Sequence, residues 1–396
     1  MKLKELVDIV GGGTPSRDND IYWNGSIPWV TVKDMNREYI DSSIEFITEE
    51  GLINSSTNLI KKNSILIPTR MGLGRVAINT VDVAINQDLK ALVPKNSDVL
   101  DLEYLFYFLK SKSDYLKSQG KGATVKGITL DILRELDVPL LSIEIQKQIV
   151  KVLNIVYSLI HKRQSQITAL DELTQSLFLE MFGNPINNPK EWEVKKLKDV
   201  TDKILSGSTP KGGSKVYIEN GITFLRSQNV WKNRLNLDDV VYIDKETHNK
   251  MIKSSLKYGD ILMTKTGRIN TENSSLGRAA IFRGKNDSAN INGHVYLIRL
   301  QKDIINEFIL FILTTDEYKE YIRSVCVGGI DKRQINKEHL EEFPIISPPI
   351  ELQVQFSKLL THLEKLKSEM RISLKELEDI FNSILQRAFK GELFQD

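Results

Sequence analysis

Residues 143–182 read IEIQKQIVKVLNIVYSLIHKRQSQITALDELTQSLFLEMF, and residues 350–389 read IELQVQFSKLLTHLEKLKSEMRISLKELEDIFNSILQRAF. In both stretches apolar residues recur at alternating steps of three and four, which is the heptad pattern of helices that share a packing seam. The two stretches align without a gap from one end to the other. Since one inserted residue would rotate every later side chain off the seam, the pattern predicts two long helices packed along each other.

The predicted seam is made of the apolar residues that follow the heptad steps. They are Ile149, Val152, Val156, Leu159, Leu170 and Leu177 in the first helix, and Phe356, Leu359, Leu363, Leu366, Leu377 and Ile384 in the second. Polar residues interrupt the seam near its middle, at Arg163, Gln166 and Ser373. A polar group at a seam position can fix the register of the helices and lowers their stability. Each helix of about 36 residues would be about 54 Å long.

The rest of the chain also occurs twice. The clearest matches are Gly13-Thr14-Pro15 with Ser208-Thr209-Pro210, Leu73-Gly74-Arg75 with Leu276-Gly277-Arg278, and Ile85-Asn86 with Ile291-Asn292. The spacing between matches varies, and the second copy has extra residues between Thr266 and Ser275. A repeat of this kind predicts one framework used twice, with loops of differing length.

The fold class that follows is α+β, with two related α/β domains and a long antiparallel two-helix coiled coil between them. Short apolar runs at 65–68, 91–94, 261–263 and 295–300 predict strands, and 104–109 and 308–313 predict helices. We place the first domain at 1–141, the first long helix at 142–182, a Gly- and Pro-rich linker at 183–190, the second domain at 191–349 and the second long helix at 350–396.

The short linker dictates how the parts are arranged. The first helix must end beside the second domain, so the second helix can bury its seam only by running back along the first. The pair is therefore predicted to be antiparallel, and the two domains to be related by a pseudo-two-fold axis. Two inverted domains held apart suit a ligand that repeats along an axis, such as duplex DNA with its turn of about 34–36 Å.

Composition excludes several classes of protein. The net charge is only +2, although residues 186–349 carry an excess of five positive charges. A DNA-binding protein of this balance has to gather its Lys and Arg on one face. Cys326 is the one cysteine, so no disulfide can form within the chain, and a cytoplasmic location is expected. No apolar run is long enough to span a membrane, so no membrane partner is expected.

The residues that catalysis would need are not found in the sequence. An adenine methyltransferase would need an Asn-Pro-Pro-aromatic type of site, and the chain has only Asn184-Pro185-Ile186. The stretch 207–215 does not have the spacing of a phosphate-binding P-loop. The five histidines show no metal-ligand spacing, so no metal site is predicted.

Several motifs, taken in order, resemble the specificity subunits of type I restriction–modification systems. They are Gly12-Gly13-Thr14-Pro15-Ser16, Gly207-Ser208-Thr209-Pro210, Ile27-Pro28-Trp29-Val30, the helix starts at 139–149 and 348–356, and Phe182-Gly183-Asn184-Pro185 followed by Pro189-Lys190-Glu191-Trp192. Each motif alone is weak, but their order and duplication over the whole chain are specific.

The resemblance implies a function without catalysis by this chain. Each domain would be a target recognition domain that reads one half of a bipartite double-stranded DNA target. The helices would set the gap and dock two modification subunits, which would carry S-adenosylmethionine and methylate a flipped adenine. Restriction subunits, which use ATP and Mg²⁺, would join through the modification subunits. No cofactor is expected on this chain.

Side chains suited to phosphates and base edges occur in Gly-rich or turn-like stretches of both domains. The predicted DNA contacts are Thr14, Ser16, Arg17, Lys33, Arg70, Arg75 and Lys126 in the first domain, and Ser208, Thr209, Lys211, Lys215, Arg226, Lys265, Arg268, Arg278, Lys332 and Arg333 in the second. Trp29 and Phe224 are predicted to be core residues instead.

Two other functions remain open at this stage. The chain could be a non-catalytic scaffold in which the coiled coil joins two protein-binding domains, without any contact to DNA. It could also be a fused methyltransferase of an unfamiliar type. Salt-dependent binding to DNA separates the first of these from a DNA reader, and methyl transfer by the isolated chain would identify the second.

Overall fold

The structure is a computed structural model, and it describes residues 1–122, 126–269, 271, 274–329 and 332–393. The chain forms two compact units. The first consists of Met1–Ser165 together with Arg371–Asp396, and the second of Gln166–Met370. Within the described ranges, no helix is both long enough and apolar enough to cross a membrane.

The first unit has an α+β core. Its strands are β1 Val7–Gly11, β2 Trp23–Val30, β3 Tyr39–Ile40, β4 Glu45–Ile47, β5 Leu59–Ile60, β6 Ser64–Pro68, β7 Ala77–Asn79, β8 Val83–Ile85 and β9 Leu89–Pro94. Its shorter helices are α1 Leu3–Leu6, α2 Glu49–Ile53, α3 Leu102–Ser111, α4 Ser113–Ser118 and α5 Leu130–Arg134. The strands form one sheet in the order β1-β9-β6-β7-β3 and another in the order β4-β2-β8-β5.

The second unit repeats this plan with additions. Its strands are β10 Val194–Lys196, β11 Thr201–Ser206, β12 Ile222–Leu225, β13 Val230–Trp231, β14 Arg234–Leu235, β15 Val241–Ile243, β16 Ile261–Thr264, β17 Thr266–Gly267, β18 Ala279–Ile281, β19 Ala289–Ile291, β20 Val295–Leu300, β21 Val327–Gly329, β22 Lys332–Gln334 and β23 Pro344–Ile346. Its shorter helices are α7 Lys245–Lys250, α8 Asn306–Thr314, α9 Asp316–Val325 and α10 Lys337–Glu341.

The sheets of the second unit correspond to those of the first. The order β11-β20-β16-β18 corresponds to β1-β9-β6-β7, and the order β15-β12-β19 corresponds to β4-β2-β8. Smaller sheets pair β17 with β22 and β21, β13 with β14, and β10 with β23. The strands predicted at 65–68, 91–94, 261–263 and 295–300 and the helices at 104–109 and 308–313 are confirmed, and each lies within an observed element.

Two forty-residue helices, α6 Ile143–Phe182 and α11 Ile350–Phe389, complete the fold. In the first unit, the early residues Ile149 and Leu153 of α6 share a core cluster with Phe381 and Leu385 near the end of α11. In the second unit, Phe178 near the end of α6 lies 5.4 Å from Phe356 near the start of α11, measured between ring centroids. In each unit, therefore, the beginning of one helix packs against the end of the other, as the antiparallel prediction required.

The phase of the seam differs from the prediction by one residue at every second position. Leu159 was predicted to lie in the seam, but it is 45% exposed, whereas its neighbour Ile160 is buried. Leu153 is likewise fully buried, and Val152 beside it is only half-buried. The same shift occurs in α11, where Leu359 and Leu366 are half-buried and the positions that follow them, Leu360 and Lys367, face the packed side.

The buried cation of the seam lies at a position that was not predicted. Of the three predicted polar seam residues, Gln166 is exposed, and Arg163 and Ser373 are half-buried. Instead Lys367 is buried, with only 5% of its side chain exposed, and its Nζ donates to Asp171 Oδ1 of α6 at 2.7 Å. Glu364, one turn earlier on α11, is its second carboxylate partner. The corresponding position in α6 is the apolar Ile160, so only one of the two copies has this ion pair at the seam.

Candidate nucleic-acid interface

In the first unit, three strands end or begin at one edge of the larger sheet. The antiparallel pairs Gly11↔Lys90 and Pro68↔Leu89 bring the end of β1 and the end of β6 beside the start of β9. The loops that follow β1 and β6 are therefore neighbours, and they carry most of the predicted DNA contacts of this domain. We call this border, formed by residues 12–17, 69–75, 86–90 and 126–127, the first edge.

The turn that opens the first edge has room only for glycine. A Cβ added to Gly12 would lie 2.1 Å from the carbonyl oxygen of Ile85, and one added to Gly207 in the second unit would lie 2.3 Å from that of Ile291. In both units the chain thus crosses directly over the end of the neighbouring strand. Trp29 helps to hold this turn, since its Nε1 donates to the Gly13 carbonyl at 3.1 Å.

The two units build their edges with the same backbone hydrogen bonds. In the first unit, the amide of Asn86 donates to the Val30 carbonyl at 3.0 Å, that of Thr69 to Asp88 at 2.7 Å, and that of Ile128 to Thr69 at 2.9 Å. In the second unit, the amide of Asn292 donates to the Leu225 carbonyl at 3.0 Å, that of Lys265 to His294 at 2.8 Å, and that of Ile335 to Lys265 at 2.9 Å. We therefore define the second edge as residues 207–215, 264–268, 292–295 and 332–335.

Four predicted cations come together on or beside the first edge. Arg70 forms an isolated β-bridge with Gly127, and the carbonyl of Lys126 accepts a hydrogen bond from the Met71 amide at 3.3 Å. Arg75 donates through Nη1 to the Val32 carbonyl at 3.3 Å, which brings the adjoining Lys33 to the same border. Arg70, Arg75, Lys126 and Lys33 are all exposed.

Arg17 is held by the protein itself. Its guanidinium makes a two-point ion pair with Glu45, at 2.5 and 2.9 Å, and lies 3.7 Å from the ring centroid of Trp23. The hydrogen bond to Arg17 lowers the pKa of the Glu45 carboxyl group, and the same bond raises the pKa of Arg17. A contact between Arg17 and DNA remains a prediction. The DNA would have to share this guanidinium with Glu45.

The predicted hydroxyl contacts have different surroundings. Thr14 is exposed, and its Oγ1 donates to Gln87 across the first edge. Ser16 is exposed and accepts the Asp18 amide. The prediction overlooked Gln87 and Lys90, which lie on the first edge beside Thr14 and Arg70. Burial lowers the pKa of Lys90 and Arg70 adds to the effect, although Asp88 opposes it. Gln87 and Lys90 follow the duplicated Ile85-Asn86 motif closely, and this position could have indicated them in the sequence.

The second edge also gathers predicted contacts. Strand β17 pairs with β22 through Thr266↔Gln334 and Gly267↔Arg333. This pairing sets Arg268 and Lys332 on one open groove, which Thr271 and Ser275 also line. Both cations are exposed, and Lys265 lies at the end of β16 with its Nζ 5.4 Å from the Tyr296 ring centroid. Asn270, Glu272 and Asn273 of this longer loop lie outside the described residues.

The loop after β11 presents the remaining polar contacts of the second domain. Ser208, Thr209, Lys211 and Lys215 are all exposed, and Pro210 between them is buried in the same way as Pro15. In the first unit, Arg17 anchors the matching loop through Glu45. In the second unit, Lys211 and Lys215 lie on either side of Gly212, whose φ of +103° turns the backbone into the left-handed region. The two loops therefore start from one shared turn and then diverge.

Three predicted arginines of the second domain are engaged inside the unit. Arg226 is 18% exposed and pairs with Asp239 at 3.1 Å, and Arg333 donates to the Cys326 carbonyl at 3.2 Å. Arg278 stacks 4.0 Å from the Trp231 ring centroid and donates to the Ser274 carbonyl, and burial lowers its pKa. Phe224 is fully buried and Trp29 is 3% exposed, which confirms both as core residues.

The exposed side chains of the two edges suit contacts to a polyanion. Across the described ranges, with gaps at 123–125, 270, 272–273, 330–331 and 394–396, no group of three or more His, Cys, Asp or Glu side chains could hold a metal ion. Lysine and arginine side chains beside exposed backbone are the groups that proteins use to grip phosphates and to read guanine edges.

Comparison with known proteins identifies relatives over nearly the whole chain. The family model described as type I restriction modification DNA specificity domain matches residues 1–169 and 189–385. The type I restriction enzyme MjaIX specificity subunit of Methanocaldococcus jannaschii is 29% identical over 416 residues, covering 99% of this chain and 92% of that protein. The type I restriction enzyme EcoR124I/EcoR124II specificity subunit of Escherichia coli is 39% identical over 159 residues, covering 38% of this chain and 39% of that protein.

Solved structures share the fold. The S subunit of the type I restriction-modification system from M. genitalium matches with a TM-score of 0.54 and 17% identity, over 98% of this chain and 95% of that one. A chain from a structural study of complex assembly and conformational transition in the type I R-M system matches with a TM-score of 0.61 and 18% identity, over 99% of this chain and 97% of that one. At these identities the likeness concerns the fold alone.

Proposed function

This chain belongs to the type I restriction modification DNA specificity family, and from that premise we propose that it reads a bipartite DNA target with one edge per half-site. The observation that carries the proposal is the duplication of the edge. The same glycine turn and the same three backbone hydrogen bonds recur in both units, and exposed cations lie on each edge. Two edges with the same backbone framework suit a ligand that has two similar binding sites.

The differing side chains on the two edges fit the reading of two different half-sites. The first edge carries Arg70, Arg75 and Lys126, and the second carries Arg268 and Lys332 in a longer loop. Phosphate contacts position a protein on DNA, while contacts to base edges select the sequence. The shared backbone would thus supply the same approach to the duplex in both halves, and the divergent loops would supply the selectivity.

We propose that the long helices dock two modification subunits. Along the outer face of α6, Ile155 and Leu159 are 54% and 45% exposed, and Lys147, Lys151 and Lys162 border them in one shallow groove. An apolar floor with a basic rim suits an amphipathic helix that has acidic edges. Leu173 and Ile380 leave further apolar surface on these helices, at 44% and 48% exposure.

The chemistry in this proposal belongs to the partners. S-adenosylmethionine would be bound by the modification subunits, which would methylate adenine, and ATP and Mg²⁺ by restriction subunits that join through them. The chain itself would contribute recognition and spacing, and would do so in the cytoplasm. Base contacts and subunit contacts would then lie on different surfaces of the same protein.

Methylome sequencing of cells with and without this chain, in the presence of its modification subunit, tests the proposal. We expect methylation at one split sequence with a fixed gap, and its disappearance when the chain is removed. Methylation that does not depend on the chain would contradict the proposal. Methyl transfer by the isolated chain would do so as well, and would revive the fused methyltransferase.

A binding assay separates DNA reading from a pure scaffold. For the complex with modification subunits, the logarithm of the DNA affinity should fall linearly with the logarithm of the salt concentration. Replacing Arg70 and Lys126 together by Ala should reduce the slope by about 2, one for each lost phosphate contact. The control is Lys61→Ala, because Lys61 precedes the opposite end of β6 and pairs with Asp82. Equal slopes for all three proteins would favour the scaffold.

A further inference from the structure

A half-buried lysine in the first unit contacts both long helices and one loop of the recognition domain. Lys110, on α3, donates from Nζ to Glu38 Oε1 at 2.5 Å, and the two side chains are 23% and 29% exposed. The same Nζ lies 5.2 Å from the ring centroid of Tyr157 on α6 and 5.5 Å from that of Phe381 on α11. One ammonium group therefore joins the loop to both helices through an ion pair and the faces of two rings.

A second chain of hydrogen bonds runs in parallel to this ion pair. The hydroxyl of Tyr39 donates to Glu103 Oε1 at 3.3 Å, and Asn154 of α6 donates to the other oxygen of Glu103 at 2.8 Å. Asn154 in turn accepts the hydroxyl of Tyr107 at 2.5 Å. Two adjacent residues of the loop, Glu38 and Tyr39, are thus both tied to α6.

Burial makes the tyrosines of this network weaker acids. Burial, with smaller contributions from Glu103 and Glu38, raises the pKa of Tyr39 to about 12. Burial also raises the pKa of Tyr157, and Glu38 adds to that shift. The tyrosines therefore stay protonated at neutral pH. A half-buried ion pair with aromatic walls keeps its geometry better than an exposed one, since water screens it less.

The other end of this loop lies on the first edge. We define the positioning segment as residues 31–40, which follow β2. The amide of Asn86 on the first edge donates to Val30 at 3.0 Å, and Arg75 donates to the carbonyl of Val32. The predicted contact Lys33 is the next residue. The segment thus begins among the DNA-facing residues and ends in the network on the long helices.

In the second unit, the residue that aligns with Lys110 makes an uncharged contact to the corresponding loop. There Thr314 Oγ1, near the end of α8, donates to Asn233 Oδ1 at 3.0 Å. Helix α8 occupies the place of α3, and Asn233 lies one residue before β14, in the way that Glu38 lies one residue before β3. The half-buried Lys110–Glu38 ion pair is therefore a feature of the first unit and is not a requirement of the fold.

We propose that the Lys110–Glu38 pair sets the position of the positioning segment against the long helices, and thereby the base preference at the first half-site. This rests on the proposed function, in which the first unit reads one half-site. Lys110 and Glu38 act as positioning residues, since both lie behind the edge. If the pair is broken, the segment that carries Lys33 gains freedom and accepts more base pairs, while the second half-site keeps its selectivity.

The test uses the full chain with its modification subunits and two DNA libraries, each randomised in one half-site. Methylation read by sequencing gives the preference for the cognate base over the others, separately for each half. For Glu38→Gln and for Lys110→Met we expect the preference for the cognate base at the first half-site to drop about tenfold. This is near the lower end of the usual cost of one mismatched base pair. Preference at the second half-site should be unchanged.

Three further variants make the outcome specific to the pair. The double variant E38Q/K110M should be no worse than either single variant, because coupled residues are not additive. Lys110→Arg keeps the charge and should retain the wild-type preference. Lys61→Met removes an exposed ion pair of the same unit and should change nothing. Thermal unfolding of each variant shows whether the first unit remains folded.

The possible results are distinct. A loss confined to the first half-site, with rescue by Lys110→Arg, supports the proposal. Equal losses at both half-sites, or unchanged preference in variants that still bind DNA, overturn it. If the wild-type complex methylates no two-part sequence at all, the proposed function itself fails, and this is visible before any variant is made.

Discussion

Gly207 and Gly12 follow directly on β11 and β1, and neither position has room for a side chain. The nearest obstacle is backbone in both cases, the carbonyls of Ile291 and Ile85, which cannot swing away as a flexible side chain could. At this turn the chain passes over the neighbouring strand and then enters the loop that carries Thr209 or Thr14. The glycine therefore determines where the first loop of each edge begins.

We predict that Gly207→Ala destabilises the second unit by about 1–3 kcal/mol, as overpacking at a rigid site does. The measurement is urea unfolding of the full chain, with fluorescence to report the transition. Because the turn opens the second edge, the same variant should also weaken discrimination at the second half-site more than at the first.

Gly329→Ala in the same unit is the matched control. A Cβ at Gly329 would have no atom within 4 Å. It should therefore change stability by no more than about 0.5 kcal/mol. Equal effects of the two substitutions would show that the close approach at Gly207 does not determine the turn.

The sequence alone indicated which segments form the first and second edges. It did not indicate which of their side chains are free of partners within the protein. Exposed cations such as Arg70 and Lys126 follow from turn-like stretches rich in glycine. The engagement of Arg17 by Glu45 and of Arg226 by Asp239 depends on contacts between residues 28 and 13 positions apart. No local pattern reports such a partner, so a contact prediction from sequence cannot separate a free arginine from a paired one.

The long helices show a similar limit at the scale of an element. Their length, pairing and direction follow from the constant alignment of the two copies and from the short linker. The phase of the seam does not, because α6 has adjacent apolar residues at Val152-Leu153 and Leu159-Ile160, and α11 has them at Leu359-Leu360. Either phase satisfies the heptad spacing. In the first unit, the phase that is observed for α6 buries Leu153 and Ile160 in one core cluster with the aromatic residues of α3.

Lys367 gives the seam of the second unit a buried ion pair, and its counterpart in α6, Ile160, is apolar. Its amine is buried beside Asp171 and Glu364, whose side chains are 57% and 40% exposed. The carboxylates thus stay partly hydrated, while most of the desolvation falls on the lysine. Replacing a buried ion pair by apolar residues is often neutral or stabilising, whereas removing its counter-charges is destabilising.

We therefore predict opposite effects for the two sides of this ion pair. Lys367→Met should leave the free energy of unfolding unchanged or raise it, and the double variant D171N/E364Q should lower it by about 3 kcal/mol. Chemical unfolding followed by circular dichroism measures both. Glu369→Gln, which removes an exposed i,i+4 pair with Lys365, should change stability by less than about 0.5 kcal/mol. A large loss in Lys367→Met would mean that the ammonium stabilises the seam.

On the scale of the whole molecule, each long helix has residues in both units. Under the proposed function, the length of the helices would therefore set the gap between the two half-sites. Adding four residues to an α-helix lengthens it by about 6 Å and turns it by about 40° beyond a full turn. In duplex DNA, one or two base pairs give a similar advance and rotation, at about 3.4 Å and 34–36° each. An insertion of this size therefore suits both the seam and the DNA.

We predict that four residues added at the matching positions Gln166 and Ser373 widen the gap in the methylated sequence by one or two base pairs, about the rise of the added helix. Both half-sites should keep their bases, since neither edge is altered. Methylome sequencing of cells that carry the variant measures gap and half-sites together. Two residues added at each position turn the helix by about 200°, which rotates the apolar seam outward, and should abolish methylation. A changed base in either half-site would mean that the helices take part in reading the sequence, and an unchanged gap would mean that they do not set the distance.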